Sequence, residues 1–398
     1  MFTVSRPEVL PRIALVLALA AAALAPAPAG AHDPSAWGGL FRTRDFGANW
    51  FPADAGLFIG GALGVAIHPE DPAQLLYGTD ARLLRTRNGG RDWVTESAPA
   101  MIGAVFAVVF DADGKGALAS TGTRIFRFEQ EGGWRDVFAP AGAAPARSFA
   151  RSTGRRDRVY LAGAHGLFVS GDKGKTWTRS GDGVLPDDAV VSLIVAPGTP
   201  EKLYAVVGGD IWTSADGGDS WSRPASGLPA GRVDAISADA GKSDRLWAVV
   251  AAQVYVSDDA GSKWTVRGNA ISDTGLSVRG IAVSADEKIM VVSTHRGVFR
   301  STDGGQSWKQ VESTLPVHLE SGLLLRDPHD PSTLYAGFSL SPYGETWRRA
   351  EQGGSLLAQT DPVSLAGGLA FLVVLIIAGA AATRWLMRRS RGANAAIR

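Results

Sequence analysis

The chain has no cysteine among its 398 residues. That excludes a disulfide, a thiolate metal site, a cysteine nucleophile and a lipid-modified N-terminal cysteine. It also lacks charge of one sign: 40 Lys and Arg stand against 39 Asp and Glu, a net charge of +1. Such a balance offers nucleic acid no electrostatic footprint. The six histidines are scattered and none pair at a ligand spacing such as H-x-x-x-H, so neither a metal centre nor a cofactor is expected. Outside the two ends, no stretch carries helical periodicity of useful length. What is plentiful is glycine, at 49 residues, and tryptophan, at 12.

Both ends read as membrane signals. Arg6 and Arg12 precede an apolar run from Ile13 to Leu24, and Ala29-Gly30-Ala31 fits a small-residue cleavage site. Residues 1–31 therefore read as a signal peptide for export. Val363 to Thr383 carries no charge and is long enough to span a bilayer. Arg384, Arg388, Arg389, Arg391 and Arg398 follow it, which places the tail, 384–398, in the cytoplasm. The expected organisation is a globular body at 32–347, a linker at 348–362, one membrane helix at 363–383 and a short basic tail. The body would lie on the outer side of the inner membrane.

The tryptophans recur. Aligning on S-x-D-x-G-x-x-W gives boxes ending at Trp50, Trp93, Trp134, Trp177, Trp221, Trp264 and Trp308, and a worn copy, "LSPYGETW", ending at Trp347. The steps run from 39 to 44 residues. Short runs rich in Val, Leu, Ile and aromatics surround each box, separated by Gly, Pro and Asp turns, which is the strand pattern. Four strands per repeat is the period of a β-propeller blade. The first unit supplies a third strand and a box with nothing before them. The last has two good strands, and its third looks lost. The two halves make one blade, so the expected fold is an all-β, seven-bladed propeller closed by its N-terminal strand, with eight blades as the alternative. Closure removes the free sheet edges.

Within the box, Asp45, Asn88, Asp172, Asp216, Asp259 and Asp303 are expected to accept hydrogen bonds from their own turns. The glycine permits a positive φ, and Trp50, Trp93, Trp177, Trp221, Trp264 and Trp308 are expected to fold onto the hairpin and the adjoining strand. One acid per blade at the rim cannot converge on a single substrate, so no box residue is assigned a catalytic role.

"SGDKGKTW", "SADGGDSW" and "STDGGQSW" resemble the Asp-box (BNR) repeats of the sialidase superfamily of propellers. The resemblance covers about residues 37 to 347. One box per blade with "P-x-x-L-Y-A" strands looks most like the Ycf48-like photosystem II assembly factors and other exported members. The group also holds sialidases, other glycoside hydrolases and sortilin-type receptors, so the resemblance implies the fold and leaves activity open. It further implies that the usual site lies opposite the boxes, among the loops between strands two and three and between blades. The first set contributes Asp80, Arg82, Arg124, His165, Asp210, Gln253, His295 and Arg296, and the second Glu96, Asp136, Arg147, Asp187, Asp188, Arg232, Asp234, His318 and Glu320. A sialidase site needs three arginines and a free tyrosine. Arg82, Arg124 and Arg296 are on offer, but Tyr77, Tyr160, Tyr204 and Tyr335 fall inside strands and only Tyr343, in the worn box, looks free. The reading is a scaffold or assembly factor, without a catalytic residue, for a membrane protein or membrane complex. A glycoside hydrolase acting on extracytoplasmic glycans is the alternative.

Overall fold

The computed structural model describes residues 38–352 apart from 55, 97–100, 197–200, 224–226, 230, 240–241, 243, 273–274 and 317. The expected signal peptide, membrane span and basic tail lie outside the described residues. Among the described residues no helix is long and apolar enough to cross a membrane.

The short β-branched and aromatic runs form β1 (Gly39–Thr43), β2 (Phe51–Pro52), β3 (Ala62–Ile67), β4 (Leu75–Thr79), β5 (Leu83–Thr86), β6 (Val94–Thr95), β7 (Val105–Phe110), β8 (Ala117–Thr121), β9 (Ile125–Glu129) and β10 (Gly133–Val137). They continue as β11 (Ser148–Arg151), β12 (Val159–Gly163), β13 (Gly166–Ser170), β14 (Thr178–Ser180), β15 (Val190–Ala196), β16 (Lys202–Val207), β17 (Asp210–Ser214), β18 (Val233–Ala238), β19 (Leu246–Val250), β20 (Gln253–Ser257) and β21 (Thr265–Arg267). The last are β22 (Val278–Val283), β23 (Met290–Thr294), β24 (Gly297–Ser301), β25 (Lys309–Gln310), β26 (Glu320–Arg326) and β27 (Leu334–Ser339). They pair into seven antiparallel sheets, six of consecutive strands and one in the order β2-β1-β27-β26. The propeller therefore has seven blades, and the seventh is shared between the two ends of the body. Its seam runs along β1 and β27, with Gly39 opposite Phe338 and Thr43 opposite Leu334. Among the described residues the fourth blade has three strands and a lone bridge, Thr213 to Ser222, where the fourth would run.

Blades pack face to face through apolar clusters that mix neighbours, such as Tyr77 and Leu84 with Leu40 and Tyr335. Approach is close: a Cβ on Gly78 would lie 2.4 Å from the Val105 carbonyl oxygen of the next blade.

Six box turns share one hydrogen-bond network. In the Ser301 turn, Oγ donates to Asp303 Oδ1 at 2.8 Å and accepts from the Gly305 N–H at 2.9 Å. Asp303 Oδ1 then accepts from the Ser307 N–H at 2.9 Å. The Thr43, Thr86, Ser170, Ser214 and Ser257 turns repeat the hydroxyl-to-box and hydroxyl-to-glycine contacts. Gly305 sits at φ +87°, as the turn requires. Trp221 and Trp308 donate their indole N–H to Ser180 Oγ and Asn269 O, on the preceding blade. Burial works to raise the carboxyl of the half-buried Asp216, yet hydrogen bonds from Ser220 and Ser214 hold it near pKa 2, and bonds from Ser307 and Ser301 hold the exposed Asp303 there too.

Two of the expected boxes differ. At Trp134 an arginine, Arg127, takes the hydroxyl position, and the Glu129 carboxylate pairs with Arg127 at 3.5 Å and with Lys175 of the next blade at 3.2 Å. At Trp347 there is no hairpin: residues Tyr343–Glu351 form a helix, α1. It runs through the expected boundary between propeller and linker at 347/348.

One acid inside the seam sets a pH dependence. Asp54 accepts from the Leu40 N–H at 2.9 Å and from the Tyr77 hydroxyl at 3.1 Å. Burial outweighs those bonds and raises its pKa from 3.8 to about 6. The folded state thus holds this proton more tightly than the unfolded chain, so its contribution to stability falls as pH rises from about 4 to about 6. Asp54→Asn keeps an acceptor for Leu40 and removes the titration. Urea melts should show the variant gaining on the parent across that window, by up to about 3 kcal/mol for a shift of this size. A constant difference between the two curves would refute the assignment.

Candidate functional site

The first strand of every blade starts on one face, and the second strand ends there. Val105, for example, pairs with Thr121, beside the β8–β9 loop. The box turns lie at the other ends of the strands. This loop face is where the candidate site residues are found, and α1 lies across its centre.

The helix is seated from five blades. Tyr343, Trp347 and Ala350 form its packed stripe, against Leu63 and Phe106. The Tyr343 hydroxyl donates to the Ala62 carbonyl at 2.6 Å. Its ring lies against Gly322 and carries the Arg279 guanidinium 5.1 Å from its centroid. The Trp347 ring stands 4.4 Å from that of Phe106, with the Arg147 guanidinium 4.6 Å from it on another side. Glu320 accepts the N–H of Tyr343 at 2.9 Å, serving a helix end that Pro342 cannot cap. Arg279 pairs with the same carboxylate at 2.8 Å, and Arg147 pairs with Glu351 at 3.2 Å. A nine-residue helix does not hold itself together in water. Its order comes from this seat. Tyr343 is therefore fully packed, and the free tyrosine expected in a hairpin turn is instead the anchor of a helix on the opposite face.

The seat is wider than its occupant. Asp188 and Arg232 act electrostatically on Arg147 from the fourth and fifth blades, which α1 leaves open; burial lowers the Arg147 pKa, opposed by Glu351. Burial also raises the Asp234 carboxyl. Beside the helix a cleft of about 470 Å³ is lined by Asp80, Ile102, Thr121, Ser341 and Arg349, among others. Lost solvation raises the pKa of Asp80, and the Gly61 backbone opposes that.

The other residues expected at the site are dispersed. Arg124 pairs with Asp136 at 3.0 Å and Asp210 with Arg223 at 2.6 Å, each within its own blade. His295 Nδ1 accepts the Ser277 N–H at 3.0 Å and clips a loop. Arg82, His165 and Arg296 are exposed on separate loops. Among the described residues no group of His, Asp and Glu is placed to hold a metal. The residues that converge are Phe106, Arg147, Arg279, Glu320, Tyr343 and Trp347. Of these, Arg147 and Glu320 stand on the loops between blades to which the sequence pointed; α1 itself was signalled only by Pro342 followed by Tyr343, Trp347 and Ala350 at helical spacing.

Residues 133–282 match the DUF6242 beta propeller domain. A xyloglucanase from Paenibacillus sp. is 28% identical over 240 residues, which is 57% of this chain and 23% of that protein. The chain thus spans about a quarter of that relative's length. Among solved structures, YCF48 bound to D1 peptide superposes with a TM-score of 0.53 at 17% identity, over 71% of this chain and 94% of that one. YCF48 from Cyanidioschyzon merolae gives 0.51 at 14%, over 71% and 97%. The extracellular domain of BT4673, a hybrid two-component system from B. thetaiotaomicron, gives 0.55 at 12%, over 71% and 38%. At such identities the shared property is the propeller.

Proposed function

We propose that this protein is a membrane-tethered, extracytoplasmic propeller that binds a polypeptide segment of a membrane-complex client at the mouth of its loop face, as a scaffold or assembly factor. The observation that carries the reading is the seat of α1. Side chains from five blades already grip a helical segment through two aromatic anchors, an end-capping carboxylate and arginine contacts, as in helix-in-groove peptide recognition. The superposed YCF48 structure, bound to a peptide, supports it. The box turns spend their polar atoms on themselves and offer a partner little.

Photo-crosslinking in native membranes tests this. A crosslinker at His165 or Arg232, on the open arc of the mouth, should give a discrete adduct with a membrane protein. The same group at Asn49 or Ser307, in the box turns, should give none. Adducts from the box turns alone would overturn the reading.

The xyloglucanase match favours a second reading, a glycoside hydrolase. Against it, Asp210 is paired and the centre of the face is filled. The full chain is expected to release no reducing sugar from xyloglucan or sialosides. Turnover that Asp80→Asn abolishes would instead establish the hydrolase.

A further inference from the structure

Eight large hydrophobic side chains are exposed among the described residues; Phe51, Val94 and Val266 lie on outer strands, and five lie on loop-face connections, Val184 among them between β14 and β15. Phe58, Ile102, Phe138 and Leu340 are 74%, 78%, 79% and 46% exposed. These four stand on the connections from the seventh blade to the third: Phe58 between β2 and β3, Ile102 between β6 and β7, Phe138 between β10 and β11, and Leu340 between β27 and α1. They belong to adjoining blades, so they form an arc around one side of the mouth. Leu340 donates its N–H to the Gly60 carbonyl at 2.7 Å, which puts it beside the Phe58 loop, and Ile102 lines the cleft along α1. One such side chain per loop, on consecutive loops, is unlike the compact patch of a protein interface core. Arg82 and Arg348 are exposed on the same face.

The chain also leaves from this face. Glu351, the last residue of α1, is fixed at the mouth by Arg147. From Gln352 to Val363, where the uncharged run begins, is 11 residues, a reach of at most about 40 Å. A body held that closely by the centre of one face turns that face to the membrane. We propose that the loop face docks on the lipid bilayer surface, with Phe58, Ile102, Phe138 and Leu340 entering the interface as apolar spikes and Arg82 and Arg348 facing anionic headgroups. The proposal rests on reading residues 363–383 as a membrane span. It would present the mouth to clients lying in the same membrane.

Because the chain has no cysteine, each introduced thiol is unique. Full-length Phe58→Cys, Ile102→Cys and Phe138→Cys would each carry an environment-sensitive fluorophore. Val94→Cys and Val266→Cys, exposed hydrophobics on outer strands, serve as controls. The proteins are incorporated into phosphatidylcholine–phosphatidylglycerol vesicles. The face sites should shift to the blue and lose emission to nitroxide-bearing lipids, while the controls stay water-like. Water-like face sites on protein that floats with the vesicles would overturn docking and leave the tether intact. Failure to float would overturn the tether itself. Face sites that shift only when native membrane extract is added, without nitroxide quenching, would assign the arc to a protein and overturn the lipid proposal.

Discussion

Arg127→Met should be among the most damaging single changes to the fold, lowering stability by about 3–5 kcal/mol. Arg127 is bidentate on Asp111, at 3.1 and 2.7 Å, and donates a third bond to the Lys173 carbonyl at 2.6 Å. The side chains of Arg127 and Asp111 are only 7% and 3% exposed. Burial opposes the Arg127 charge, yet its pKa is raised, because Asp111 bonds and attracts it. Methionine fills much of the volume but strands a carboxylate where water does not reach, and that penalty exceeds the worth of the ion pair itself. The second blade is sensitive here because its turn lacks the box. Arg127 replaces that local network with a bond to the box turn of the third blade, and Lys173 returns the contact through Asp113 at 2.9 Å. Denaturant melts should show a lower midpoint with an unchanged slope. Arg127→Met combined with Asp111→Leu should recover most of the loss. A single variant within about 1 kcal/mol of the parent would mean that water reaches the carboxylate after all.

What was legible in the sequence is what is local. A box is decided by a hydroxyl, an acid or amide, a glycine and a tryptophan within eight residues, and the bonds of its hydroxyl, its acid or amide and its glycine close inside that span. Its repetition therefore counts blades, and the unmatched halves at Trp50 and Leu334 locate the seam. α1 escaped the same reasoning because "YGETW" keeps the glycine and tryptophan of a box in register. The residues that make it a helix, Gly322, Arg279, Glu320 and Phe106, come from blades far apart in the chain. Two of the loop-face charges are spent within their own blades for a simpler reason. The residue that starts a third strand lies beside the end of its own fourth strand, so Arg124 meets Asp136 and Asp210 meets Arg223 before any ligand arrives.

Gly322→Ala should lift α1 from the mouth and leave the propeller folded. A Cβ at Gly322 would sit 2.5 to 2.8 Å from three ring carbons of Tyr343, inside any van der Waals contact. The ring has little room to yield. Its hydroxyl is tied to Ala62, Arg279 lies against it, and burial pushes its pKa well above the usual tyrosine value. Gly322 is not among the positive-φ glycines, so alanine brings no backbone strain of its own and the conflict falls on the helix. Tyr343→Ala reaches the same state from the other side, removing an anchor worth about 3–5 kcal/mol, as for other buried aromatics. Without its anchor the helix cannot persist, since nine residues are too few to hold a helix in water. Amide exchange over 343–351 should become unprotected in both variants, while β7 and β26 exchange as in the parent. If the mouth is the client site, both variants should capture more client by photo-crosslinking from Arg232, because the segment that fills it has left. Retained protection in 343–351 would show that the seat tolerates the methyl group. Faster exchange without a rise in capture would place the client elsewhere on the face.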